Sequence, residues 1–308
     1  MASDQQFNLF KVLTERLRHY LEVGDLERAE SIAQTAMDSA RRALDGRDEN
    51  LPQFLEALRE LASVRLSVKD LPGAELVYQE AFGLARGNRF VSARQIGILK
   101  SELAGALDVQ DKPNEAVPLY QDAIAMFESA SVNEPLLAAR LRNNLAMIFK
   151  SRGSLEMAEE HYLITLEVFE AAYGAESLEA ASIYNNVGGL YQAAGHVERA
   201  LEMHLKALSL RKQLGEAESV DVGQSLCNVA AAHHALTHAK EAERYYKQAR
   251  KILALHRDSE PEPFDIATEN YRLLLEETGR PPEEADDEDS RPAAISFVDL
   301  SQPASAVV

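Results

Sequence analysis

Asn143–Asn144–Leu145–Ala146–Met147–Ile148–Phe149, followed by Ala158–Glu159–Glu160–His161–Tyr162–Leu163–Ile164–Thr165, returns 42 residues later. There it reads Asn185–Asn186–Val187–Gly188–Gly189–Leu190–Tyr191 and Ala200–Leu201–Glu202–Met203–His204–Leu205–Lys206–Ala207. The same step carries Ala through 74, 116, 158, 200 and 242, and an aromatic or imidazole ring through Tyr78, Tyr120, Tyr162, His204 and Tyr246. Ala81, Ala123, Thr165, Ala207 and Ala249 follow three residues on, and Asn144, Asn186, Asn228 and Asn270 hold the step upstream. Glu134, Glu176, Glu218 and Glu260 keep it too. A first unit with Ala29, Ala33 and Ala36 sits 45 residues before Ala74, which places three extra residues in the turn at 45–50.

Small and aromatic residues spaced by three and four share one face of a helix. The small residue lets a second helix approach, and the ring fills the space above it. Each period therefore reads as a helical hairpin whose faces are buried only by stacking on its neighbours. The spacing predicts hairpins over 5–44, 51–86, 90–128, 134–173, 176–214 and 218–256, with a capping helix at 262–278. Ser177 and Ser219 are suited to cap helix N-termini, the recurrent Glu to lie at their positive ends, and Gly24, Gly153 and Gly195 to turn from the first helix of a hairpin (A) into the second (B).

Leu145–Ala146–x2–Phe149 with Ala158–x3–Tyr162 resembles the tetratricopeptide repeat. The 42-residue period and the paired Asn of Leu141–Arg142–Asn143–Asn144–Leu145–Ala146, together with Gly174 leading to Tyr184–Asn185–Asn186–Val187, are similar to the kinesin light chain form of that repeat. The resemblance implies an all-α, right-handed superhelical solenoid of about six hairpins. It also implies a concave surface lined by helix A, where a protein or an extended peptide binds. On that register the candidate partner-binding residues are Arg140, Asn143, Asn144 and Lys150, then Asn185, Asn186 and Gln192, then Gln224, Asn228 and His234. Repeats two and three supply Arg59, Glu60, Glu102 and Asp108 instead.

An Asn carries donors and an acceptor, so a row of them can hold a peptide backbone. For Asn144, Asn186, Asn228 and Asn270 a bond between neighbouring helices is an equal alternative, because half-buried amides usually pair within a fold. Asn143 and Asn185 read as groove residues. Arg140 and Lys150 suit acidic groups of a partner. Several positions depart from the family pattern. Arg142 stands where an apolar residue is usual, Cys227 replaces the first Asn of a pair, and Arg65 and His233 replace aromatics.

The chain carries a formal charge of -18 and one cysteine. Acidity of this size argues against nucleic acid as a partner, and one thiol excludes an internal disulfide framework. The start of the chain lacks the pattern of a signal peptide, and no apolar run reaches membrane-spanning length, so a cytoplasmic protein is expected. There is no phosphate loop, nucleophile elbow, zinc-protease helix or paired-cysteine motif, and neither enzyme activity nor a cofactor is expected. Gly188–Gly189 lies mid-helix where Gly or Ala packs. His233, His234 and His238 lack the further convergent ligands a metal centre needs. The acidic run at 283–289 opens a tail, 281–308, of disordered composition. It reads as a solvated tail, with occupancy of the chain's own groove near Arg140 and Lys150 as the alternative. The implied function is a scaffold or adaptor, with a tubulin-like filament as the specific partner. A peptide-sensing regulator, or a link to a membrane surface through Arg86–Gly87–Asn88–Arg89–Phe90, are the alternatives.

Overall fold

The computed structural model describes residues 2–44 and 47–287. The described residues are helical and turn, with no strand. They divide into two compact units, 1–175 and 176–308.

The N-terminal unit holds eight helices: α1 (Ala2–Glu22), α2 (Leu26–Leu44), α3 (Leu51–Ser67), α4 (Leu71–Ala85), α5 (Ala93–Asp108), α6 (Pro113–Glu128), α7 (Pro135–Ser151) and α8 (Leu155–Tyr173). Each odd-numbered helix packs on the next as a hairpin, and each hairpin packs on the following one. The C-terminal unit repeats the scheme with α9 (Leu178–Ala193), α10 (Val197–Leu214), α11 (Val220–Ala235), α12 (Ala239–Leu253) and α13 (Pro261–Glu277). A one-turn helix, α14 (Glu284–Asp287), packs on α13.

The periodic residues are buried. Ala74, Ala116, Ala158, Ala200 and Ala242 are fully inaccessible, and Tyr78, Tyr120, Tyr162, His204 and Tyr246 are at most 3% exposed. Thr165 replaces Ala at no cost in unpaired polarity, because its hydroxyl donates to the carbonyls of His161 (2.8 Å) and Ala139 (3.1 Å). Gly188 shows the same compensation in shape. At the matching hairpin positions the chain pairs Ala62 with Tyr78, Ala104 with Tyr120, Ala146 with Tyr162 and Ala230 with Tyr246, but Gly188 with His204. A Cβ on Gly188 would lie 2.6 Å from His204 Cε1, so the imidazole occupies the room a methyl would need. Gly188 is a packing residue, as its place in the period implies.

The helix ends follow local chemistry. Ser177 and Ser219 accept from the backbone N–H of Ala180 and Val222. Gly24, Gly153 and Gly195 adopt φ near +75° in the A-to-B turns. Helix α5 starts later than the spacing suggests, at Ala93 rather than 90. Ser92 and Gln95 form a reciprocal capping box, and Asn88 Oδ1 accepts from Phe90 N, which holds 88–92 out of the helix. In the N-terminal unit's longer connection, a turn of 3-10 helix at Asp48–Asn50 is tied back by Asn50 Nδ2 donating to the Ala43 carbonyl.

The segment expected as a tail begins folded. Ala285 is fully buried in the core with Tyr271 and Leu275, and Arg280 bridges Glu243 (2.9 Å) and Glu284. The rest of the tail, 288–308, lies outside the described residues, as does any test of its occupying a groove.

Candidate partner-binding face

The odd-numbered helices are the A helices, and in each unit they carry the candidate residues. In the C-terminal unit they are α9, α11 and α13. Asn228 Nδ2 donates to Asn185 Oδ1 at 2.9 Å, and His204 Nδ1 lies 3.2 Å from the same oxygen. One repeat on, Asn270 Nδ2 donates to Cys227 Sγ at 3.8 Å. Each bond joins residues 43 apart: the second amide of one repeat reaches the first position of the repeat before it. The paired amides are thus a ladder between neighbouring A helices. Asn185, read from sequence as a groove residue, is engaged in it.

Position 59 and position 102 stand in the same relation in the N-terminal unit. There Arg59 forms a two-pronged ion pair with Glu102, Nε–Oε2 2.7 Å and Nη2–Oε1 2.5 Å. Burial alone would lower the Arg59 pKa, but the bonds and charge of Glu102 hold it above its ordinary value. Burial raises the carboxyls of Glu60 and Asp108, helped by Glu56 and Asp111 respectively.

On α7, Arg140 is exposed, its guanidinium 6.0 Å from the Phe169 ring centre. Asn143 Nδ2 lies 3.8 Å from Met147 Sδ. Asn144 is bonded to Tyr120, whose hydroxyl burial pushes up to about 12. Burial lowers the Lys150 ammonium pKa. Arg142, the departure from an apolar position, is satisfied by a fork on Glu128 (2.7 and 3.0 Å). Asn186 and Gln192 are half-buried on α9.

Gln224 and Asn228 line a cleft of about 370 Å³ between α11 and α13, with Cys227, Glu262, Pro263 and Ile266 completing the wall. Further along α11, His234 Nε2 sits 2.9 Å from Glu277 Oε2 and closes the two helices together. Burial pushes the Cys227 thiol up to about 11, in keeping with a small group lining the wall. Sequence reasoning matched α13 to the first helix of a seventh repeat with a capping role, and it did not name Glu262 or Ile266 among the candidate residues. The signal was present in Asn270, whose spacing marks α13 as an A helix. His233 stacks on Tyr245 (5.5 Å, 7°) and faces His238 at 3.3 Å between Nδ1 atoms. Among the described residues no three His, Cys, Asp or Glu side chains gather to hold a metal, and no helix is long and apolar enough to cross a membrane. In the loop considered for membrane contact, Arg89 covers the Phe90 ring at 4.7 Å.

A tetratricopeptide-repeat family model matches residues 137–213 and 179–254. Among solved structures the chain is similar to BtubC (BKLC) from P. vanneervenii, with 31% identity and a TM-score of 0.66 over 75% of this chain and 92% of that one. It is also similar to the putative kinesin light chain nearly identical TPR-like repeats of Podosopora anserina, with 19% identity and a TM-score of 0.53 over 67% of this chain and 97% of that one. A Rap protein complexed with competence and sporulation factor shares the fold at 17% identity and a TM-score of 0.59, over 93% of this chain and 75% of that one. No curated protein matches the chain.

Proposed function

The chain belongs to the tetratricopeptide-repeat family in its kinesin-light-chain form, and from that premise we propose that it is a non-catalytic cytoplasmic adaptor whose A-helix face binds a tubulin-like filament. The observation that carries this reading is the likeness to BtubC across 92% of that protein. Each unit offers a feature a scaffold can use: in the N-terminal unit cationic α7 with Arg140 and Lys150, suited to carboxylates of a partner, and in the C-terminal unit an open cleft beside Gln224 and Asn228. Filament partners repeat along a lattice, so weak contacts at each site add up.

Co-sedimentation of the full chain with a polymerised tubulin-like protein tests it. Saturable pelleting is expected, weakened by Arg140→Glu. A chain that stays in the supernatant at every polymer concentration overturns the filament partner.

The cleft between α11 and α13 favours a second reading, a regulator that senses a peptide. A partner whose activity changes only when a peptide fills the cleft would distinguish it from the adaptor.

A further inference from the structure

We propose that the cleft between α11 and α13 docks an extended segment of a partner protein in which basic and apolar residues alternate. The proposal rests on the reading above that A helices are where proteins bind, and it assigns the C-terminal unit a ligand opposite in charge to the one suited to α7 of the N-terminal unit.

Charge sets the sign. Helix α7 carries Arg140, Arg142 and Lys150 and no carboxylate. Helices α9, α11 and α13 together carry seven carboxylates and one guanidinium, Arg272. Arg272 is itself 3.4 Å from Glu269. A cationic segment is therefore attracted to the A helices of the C-terminal unit and an anionic one repelled.

Shape and apolarity set the rest. Glu262, Ile266, Glu269 and Leu273 follow one another by four, three and four residues, so they share one stripe of α13. The bonds of Asn270 to Cys227 and of Glu277 to His234 turn that stripe toward α11. Ile266 is 51% exposed and Leu273 45% exposed, although each lies one residue from the fully buried Ala267 or the 3%-exposed Leu274. Ile266 on the wall of the 370 Å³ cleft and Leu273 further along the same stripe are aliphatic side chains left in water, and they gain by being covered. Between them and beside them stand the carboxylates, and opposite them the amides of Gln224 and Asn228 can meet a peptide backbone. From Glu262 to Glu277 the helix rises about 22 Å, the reach of about seven extended residues.

The test is fluorescence anisotropy of the full chain with three labelled peptides of about eight residues. One alternates Lys with Leu, one Lys with Ser and one Glu with Leu. The Lys–Leu peptide is expected to bind, and the Lys–Ser and Glu–Leu peptides to bind at least about tenfold more weakly. Ile266→Ser combined with Leu273→Ser, and separately Glu262→Gln combined with Glu269→Gln, are each expected to weaken Lys–Leu binding by about tenfold. All four sites are exposed, so folding persists, and an unchanged circular dichroism melt verifies it. Equal binding of the Lys–Ser peptide would reduce the effect to bulk charge and overturn the proposal. So would preference for the Glu–Leu peptide. A concentration-dependent dimer in sedimentation velocity that Ile266→Ser abolishes would overturn it too, by making a second copy of the chain the occupant. None of these results bears on filament binding, which co-sedimentation reads without any peptide.

Discussion

Two stacked ring pairs, one in each unit, occupy the same pair of hairpin positions with their members exchanged. In the N-terminal unit Phe149 on the A helix stacks on His161 of the B helix (5.4 Å, 12°). In the C-terminal unit His233 on the A helix stacks on Tyr245 of the B helix. The ladder between A helices diverges in the same way, an ion pair at Arg59–Glu102 and an amide pair at Asn228–Asn185. The period thus fixes where two side chains meet and leaves open what they are. Close packing of Ala or Gly against a ring sets the backbone spacing. Any pair able to bridge that spacing and satisfy its own polarity then serves.

The ladder comparison breaks most sharply when one member is removed. Arg59→Ala leaves Glu102, 27% exposed, without its fork, and a loss of about 3 kcal/mol in urea unfolding is expected, the low end for a paired charge stripped of its partner. Replacing both residues by apolar ones of similar volume should restore most of it. Next comes Gly188→Ala, which drives a methyl into His204 and is expected to cost about 2 kcal/mol. Adding His204→Tyr, which recreates the Ala–Tyr pair of the other repeats, should recover stability. If it does not, the coupling read from those two positions is wrong. Asn228→Ala should lose only about 1 kcal/mol, the scale of a neutral hydrogen bond, so the two ladders rank by charge.

The smallest expected effect is on pH. Burial lowers the pKa of His161 and His233, with Arg142 and His238 respectively adding to it. The unfolded chain therefore takes up protons more readily, and the contribution of each ring is complete above the ordinary histidine value of about 6.5 and lost as the pH falls below it. Thermal melts between about pH 7.5 and 5.5 should show a falling midpoint. The fall should flatten in His161→Gln and in His233→Gln, since burial opposes the charged ring on either helix.

The hairpins were legible because close approach of helices demands small residues at a fixed spacing, and Ala at five positions 42 residues apart leaves little else to satisfy. Caps were legible at Ser177 and Ser219 for the same reason, a single atom type answering a single need. The delayed start of α5 was not, because it depends on which of several polar side chains at 88–95 folds back. At the candidate site, the spacing brought Gln224 and Asn228 to one helix face, and the cleft contains both. The direction each amide takes was undecided in sequence: Asn185 is equally able to bond a ligand or a neighbouring helix, and only the position of Asn228 and His204 settles its partners. The wall formed by Ile266 escaped because an exposed aliphatic on a terminal helix looks no different from one on any solvated surface.

Arg280 stands 168 residues, four periods, beyond Lys112, and it grips Glu243 as Lys112 grips Glu75. Pro113, which opens a B helix, has Pro281 as its counterpart at the same four-period offset. The segment that follows α13 therefore keeps the clasp found between earlier repeats. Linear arrays fray from their ends, where a unit has one neighbour and not two. A clasp retained at such an end acts like the bound edge of a woven cloth, so loosening Arg280 should let unravelling begin at α13 rather than in the middle of the unit.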